Sequence, residues 1–270
     1  MDSVQLIDTW PVENAAAAVI KPSGRVVAQH GPVAEKFALA SVSKLISSYA
    51  ALVALEEEAV TLATPVTIAG ATVEHLLSHT SGIAFDSMQI VAQPGQRRIY
   101  SNTGFELLAQ TISEATGIPF DEYVREAVLE PLEMGSTSAN GAAAGMVSTV
   151  EDLSRLAAEL QQPKLVDSST LESATKPVFP DVDGVLPGFG VQRPNPWGLG
   201  FEIRGEKSPH WTGAKNSPST FGHFGQAGTF FWVDPAAQLA AVALTDRNFD
   251  KWAAQVWPEF SDAVLTEFAQ

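Results

Sequence analysis

The apolar positions of the chain recur with two periods. Val42, Leu45, Ile46, Tyr49 and Val53 lie three and four residues apart, which predicts a buried amphipathic helix starting near Ser41 and ending at the solvated triplet Glu56–Glu58. The same spacing predicts a helix through Phe105, Leu108, Ile112 and Ala115, stopped by Gly117, and another through Phe120, Tyr123, Val124 and Val128, opened by Pro119. Leu153, Leu156, Ala157 and Leu160 continue a helix whose start, Ser148-Thr-Val-Glu151, reads as a capping box. Thr72 is placed to cap a helix running from Val73 to His79. Residues 3 to 10 read as a short helix halted by Pro11, and the stretch from Asp250 through Trp252, Val256, Phe260, Val264 and Phe268 as a closing helix interrupted at Pro258.

Short apolar runs around turn residues stand at both ends of the chain. Ala15–Ile20 and Arg25–Gly31 flank Pro22-Ser-Gly24, and Gly228–Val233 and Gln238–Leu244 flank Asp234-Pro235, which predicts two β-hairpins. Trp197–Ile203 reads as a further strand, and Gln162–Pro196, rich in proline, as long loops. Strands at both ends with helices between them predict an α+β fold, an α/β sandwich. One antiparallel sheet is flanked by N- and C-terminal helices and carries an all-helical insertion. The expected division is a discontinuous sheet domain, 1–55 with 190–270, and a mainly helical insertion, 56–189, with the active site at their junction.

Composition narrows the function. The 270 residues suffice for a sizeable core, and 45% hydrophobic with 17% charged residues is ordinary for a globular enzyme. The net charge of −15 and the lack of any basic run argue against nucleic acid and membrane surfaces as partners. With no cysteine there is neither a disulfide nor a thiolate nucleophile. Ala15–Ile20 is too short for a signal-peptide core and no basic residue precedes it, so a cytoplasmic location is expected.

Three short stretches carry candidate chemistry. Ser41 and Lys44, three apart, share one face of the first turn of their helix, so a hydroxyl and an amine stand side by side. The helix start and burial both disfavour the ammonium, and a neutral amine there can take the Ser41 proton. Tyr100-Ser101-Asn102 sits in a loop ahead of a helix, and His223-Phe224-Gly225 on an apolar stretch near the C-terminus. His75 and His79 have a spacing that can grip a metal, but no glutamate follows the first and no third ligand is evident, so no metal is expected. No Gly-x-Ser-x-Gly elbow is present, which argues against an α/β-hydrolase.

In the order Ser-x-x-Lys, Tyr-x-Asn, His-x-Gly, the chain resembles the serine β-lactamase and penicillin-binding-protein superfamily, in its class C β-lactamase-like esterase and D-aminopeptidase branch. Leu76–Ile83, Gly117–Tyr123, Glu130–Gly135 and Gly145–Leu153 resemble segments of that branch, so the likeness runs from about Gly24 to Thr245.

The resemblance implies a β-lactamase/transpeptidase-like fold and an acyl-enzyme on Ser41, with Lys44 beside it. Tyr100 would be the phenolic proton relay, a phenolate being stabilised by a nearby ammonium, and Asn102 would orient substrate or Lys44. His223 would stand where many relatives carry lysine. The oxyanion would be held by the backbone N–H groups of Ser41 and Gln226, with Phe224 and Gly225 contacting substrate. It implies no cofactor, and a small-molecule acyl donor as partner: an ester, an amide or a β-lactam. One departure matters. Relatives acting on β-lactams or D-alanyl peptides usually place lysine and threonine in the third triplet to bind a carboxylate, and this chain has His223 and Phe224 there. That favours a carboxylesterase-type activity over a β-lactamase or D-amino-acid amidase. A slow-acylating sensor without turnover is the expectation from outside the enzyme class.

Overall fold

The structure, a computed structural model, describes residues 2–269. A 3-10 helix, Ser3–Thr9, precedes strands β1 (Ala15–Ile20), β2 (Val26–His30) and β3 (Phe37–Ala38). A 3-10 turn, Ala40–Val42, leads into α1 (Ser43–Glu56), followed by α2 (Val73–Leu77), α3 (Asn102–Thr116) and α4 (Phe120–Val124). Strand β4 (Val147–Ser148), helices α5 (Val150–Glu159) and α6 (Ser168–Ala174), and the hairpin β5 (Gly184–Leu186) to β6 (Gly190–Gln192) complete the middle of the chain. Strands β7 (Glu202–Ile203), β8 (Phe221–Gly225), β9 (Thr229–Asp234) and β10 (Leu239–Thr245) then precede α7 (Lys251–Phe268).

The main sheet has six antiparallel strands in the order β2-β1-β10-β9-β8-β7, with Ala18 opposite Val242 and His223 opposite Phe231. β1 and β10 lie in its middle and are covered on both faces, so their sequences are nearly continuous apolar runs and not alternations. On one face α7 and the N-terminal 3-10 helix bury Trp10, Phe230, Trp232, Trp257 and Phe260. On the other, α1 is buried against the sheet and the remaining helices through Leu45, Ile46, Tyr49 and Leu52. This puts the start of α1 against β8.

Several elements differ from their sequence-based expectation. α7 runs unbroken through Pro258, because the turn on either side buries Trp257 and Phe260 against the sheet. Burial of two such rings, about 2 kcal/mol or more each, offsets the roughly 3 kcal/mol of an interior proline. α5 is capped one residue later than expected, Thr149 Oγ1 accepting from Asp152 N at 3.1 Å. The expected loop 162–196 contains α6, capped by Asp167, and the β5–β6 hairpin. Of the strand expected over Trp197–Ile203 only its last two residues pair with β8. Gly200 has φ +87°, and a Cβ there would lie 1.7 Å from Ser48 Oγ, so this segment bends against α1.

Candidate active site

The turn before α1 sets the nucleophile's position. Ala40 has a left-handed backbone, φ +46°, which is uncommon for a residue with a side chain. Ser41 follows it, half-buried at the start of the helix, and Lys44 is wholly buried one turn on. Lys44 Nζ lies 3.4 Å from Ser41 Oγ and 2.7 Å from both Asn102 Oδ1 and Ala143 O. It also sits 4.7 Å from the centre of the Tyr100 ring.

Asn102 opens α3 but does not cap it. The cap is Ser101, whose Oγ accepts from Gly104 N at 3.0 Å and donates to Ala84 O at 2.7 Å. Asn102 is thereby free to span the site. Its Nδ2 donates to Asp86 Oδ1 at 2.9 Å, which fixes the amide so that its oxygen faces Lys44. Arg98 secures the backbone leading to Tyr100: its guanidinium is buried and donates to the carbonyls of Ser78, Val178, Phe179 and Asn195.

The Tyr100 hydroxyl is buried beside Ser41 without completing a hydrogen bond, and its ring is 5.6 Å from that of His223 on β8. Burial pushes the Tyr100 phenol well above its ordinary range, only partly countered by Ser41. Burial also lowers Lys44 to about 7, against the pull of Glu106 and Asp86. His223 is lowered to about 3 by burial and by Lys44, so it is neutral. The carbonyl of Phe224 lies 2.6 Å from His223 Nδ1 and can only accept, so the proton sits on Nδ1. Nε2, buried and without a partner in the protein, presents a bare lone pair.

Ser41, Lys44, Tyr100, Asn102 and His223 are thus brought together from three distant segments. Phe224 is not. Side chains alternate along β8, so with His223 on the site face Phe224 points the other way, into an aromatic cluster with Trp211, Phe249 and Trp257. The expected contact of its side chain with substrate is corrected accordingly. Gly225 matters by having no side chain: a Cβ would lie 2.3 Å from Leu39 O and 2.5 Å from Thr229 Oγ1. That approach brings Gly225, and Gln226 after it, against the turn holding Ser41, with Thr229 Oγ1 donating to Leu39 O at 2.8 Å. Gly225→Ala is expected to push β8 off this turn and lower kcat by about 100-fold, a typical penalty for a misplacement near 1 Å. Steady-state kinetics with a thermal melt checks this; unchanged kcat in a folded variant would show that the approach is not needed.

The two histidines at helical spacing are used separately. His75 Nδ1 accepts from Thr72 N at 3.2 Å, and its ring lies 5.0 Å from that of Phe179. His79 Nδ1 accepts from Ser101 N at 3.2 Å, and its ring packs on Tyr100 at 4.5 Å and edge-on to Trp197 at 4.7 Å. Sequence reasoning missed Asp86, Arg98 and Trp197. No local pattern in the sequence pointed to any of the three as a site residue.

The sequence matches the β-lactamase family over residues 10–265, and the chain belongs to that family. Among solved structures it is similar to a β-lactamase from Mycobacterium bovis, with 54% identity, a TM-score of 0.98, and coverage of 99% of this chain and 100% of that one. It shares its fold with EstCE1, a hydrolase with promiscuous acyltransferase activity, at 19% identity and a TM-score of 0.80 over 97% and 96% of the two chains. A protein named as a D-alanyl-D-alanine carboxypeptidase in Escherichia coli K12 is 25% identical over 200 residues, 57% of this chain and 46% of its own length. The chain therefore spans about half the length of the curated relatives it matches. Among the described residues, no helix is long and apolar enough to cross a membrane.

Proposed function

We propose that this chain is a serine hydrolase working through an acyl-enzyme on Ser41, with a carboxylesterase-type activity on small-molecule esters. Lys44 is its general base. A neutral amine has two N–H groups and one lone pair. The two N–H groups are engaged by Asn102 Oδ1 and Ala143 O, which leaves the lone pair for the Ser41 hydroxyl. Tyr100, kept as a neutral phenol by burial, is unsuited to be the base and suited to hand a proton to the leaving group.

In the forward half-reaction Ser41 Oγ bonds to the ester carbonyl carbon and its proton passes to Lys44. The oxyanion is held by the N–H groups of Ser41 and Gln226. The C–O bond to the alcohol then breaks, and the departing alkoxide takes a proton through Tyr100, resupplied from Lys44. Water repeats the sequence on the acyl-enzyme, releasing the acid and restoring Ser41.

The observation that carries the ester reading is the lone pair on His223 Nε2. A carboxylate needs a donor at this place, and a neutral imidazole held by its Nδ1 proton offers only an acceptor. Hydrolysis of β-lactams or D-amino-acid amides is the second reading, favoured by the 54% identity with the Mycobacterium bovis β-lactamase. Assays on p-nitrophenyl acetate and butyrate, a chromogenic cephalosporin and D-alanine p-nitroanilide decide between them. The first reading requires turnover of the esters above the other two. A stable mass adduct on Ser41 without turnover would instead mark a slow-acylating sensor. His223→Lys is expected to raise kcat/KM for the cephalosporin about tenfold relative to p-nitrophenyl acetate, the value of one charge-assisted hydrogen bond. An unchanged ratio would remove the carboxylate argument.

A further inference from the structure

Seven large apolar side chains are exposed among the described residues, and six of them lie on two segments beside the site. Phe85, Met88, Ile90 and Val91, each about half exposed, belong to a loop closed by the pairing of Ile83 with Ile90. Val185 and Val191 are cross-strand partners on the β5–β6 hairpin. Single exposed apolar residues are ordinary, whereas their concentration at one place marks a surface that meets something apolar.

Both segments are fastened to the stretch that carries Tyr100. Asn102 N donates to Phe85 O at 2.8 Å, and Arg98 pairs with Gly184 at the start of the hairpin. The Phe85 ring stacks on Tyr100 with centres 5.9 Å apart and planes 25° from parallel. Through Phe85 the exposed apolar loop thus reaches the phenol beside the nucleophile, and the hairpin is anchored two residues before that phenol at Arg98. The charges there argue against an anionic occupant: Asp86 is an exposed carboxylate among these side chains, His223 offers a lone pair, and the chain carries a net charge of −15.

We propose that this apolar rim holds the hydrocarbon chain of an uncharged ester while Ser41 attacks its carbonyl, so that the substrates are neutral esters of medium-length acyl groups. The inference rests on the esterase reading above and adds the side of the substrate that reading leaves open. A fully buried methylene changes affinity about fourfold, so the four methylenes separating butyrate from octanoate, half-covered on an open rim, correspond to about tenfold.

The test is kcat/KM for p-nitrophenyl acetate, butyrate and octanoate, kept below micelle formation, in wild type and in the double variant Met88→Ser, Ile90→Ser. Both residues are exposed, so folding is not at stake. The expected result is an octanoate-to-butyrate ratio near ten in wild type that falls at least threefold in the variant. A flat series with active acetate turnover, or a ratio the variant leaves unchanged, overturns the rim proposal and leaves the esterase reading standing. No turnover of any member and no adduct on Ser41 overturns both. Light scattering on the same samples covers the other occupant: a dimer that the variant dissolves, together with a flat series, assigns the rim to a second copy of the chain.

Discussion

Ser41→Ala is expected to lower ester turnover by about 10⁴-fold or more, the scale on which serine hydrolases lose kcat when the nucleophile is removed. The melt should hardly move. Ser41 is half-buried, and its hydroxyl has one partner, Lys44 Nζ at 3.4 Å, which keeps its shorter bonds to Asn102 and Ala143. Intact mass spectrometry during turnover should show an acyl adduct in the wild type and none in the variant. The expectation depends on location as well as on chemistry. Ser41 precedes the 14-residue α1, whose N-terminal peptide dipoles favour negative charge, so the oxyanion forms where the backbone already stabilises it. Full ester activity in Ser41→Ala would end the acyl-enzyme reading on Ser41, because the neighbouring Ser43 offers no replacement: it is buried, its Oγ accepts from Met146 N at 3.2 Å, and Ile46 stands where its lysine would have to be.

How much of this was legible in the sequence depended on whether the information was local. The pairing of Ser41 with Lys44 needs only helical spacing, and the two outer hairpins need only apolar runs around turn residues; all of these lie where the spacing placed them. The meeting of Ser41 with Tyr100 and His223 spans roughly two-thirds of the chain, and no periodicity encodes it; it was legible only through resemblance to a family. Phe224 was misplaced because the alternation of a strand was not carried one residue beyond His223. Pro258 misled because a local penalty was weighed without the burial of Trp257 and Phe260 that offsets it. Asp86 and Arg98 were invisible for a different reason. Their partners are one amide sixteen residues away and four backbone carbonyls, and neither leaves a side-chain pattern to read. The buried group of Glu202 with Lys207, His210 and Trp211 escaped in the same way, since its members lie in a segment without regular period.

Lys44 gives the second large effect, and its pH dependence separates it from Tyr100. With Lys44 at about 7 and the phenol pushed far above, wild-type kcat/KM for a neutral ester should rise as pH increases through about 7 and then level off. Lys44→Ala should lose about 10³-fold or more and with it that rising limb. Lys44→Arg keeps a cation of similar reach but no base at any working pH, so it should be as inactive as the alanine variant. If activity survived in Lys44→Arg, or if the limb stood near the ordinary range of a phenol, Tyr100 would be the base. The same burial has a consequence for folding. The folded-state value lies below the ordinary 10.5, so between about pH 7 and 10.5 the unfolded chain binds a proton that the folded chain does not. Lys44's contribution to stability therefore falls as pH drops from 10.5 to about 7 and is constant below that. Relative to Lys44→Met, which has nothing to titrate, wild type should gain on the order of 1 kcal/mol of unfolding free energy per pH unit from 7.5 to 9.5. Denaturant titrations of both proteins across that range measure it, and a difference that stayed flat would mean that the buried amine keeps its proton and cannot be the base.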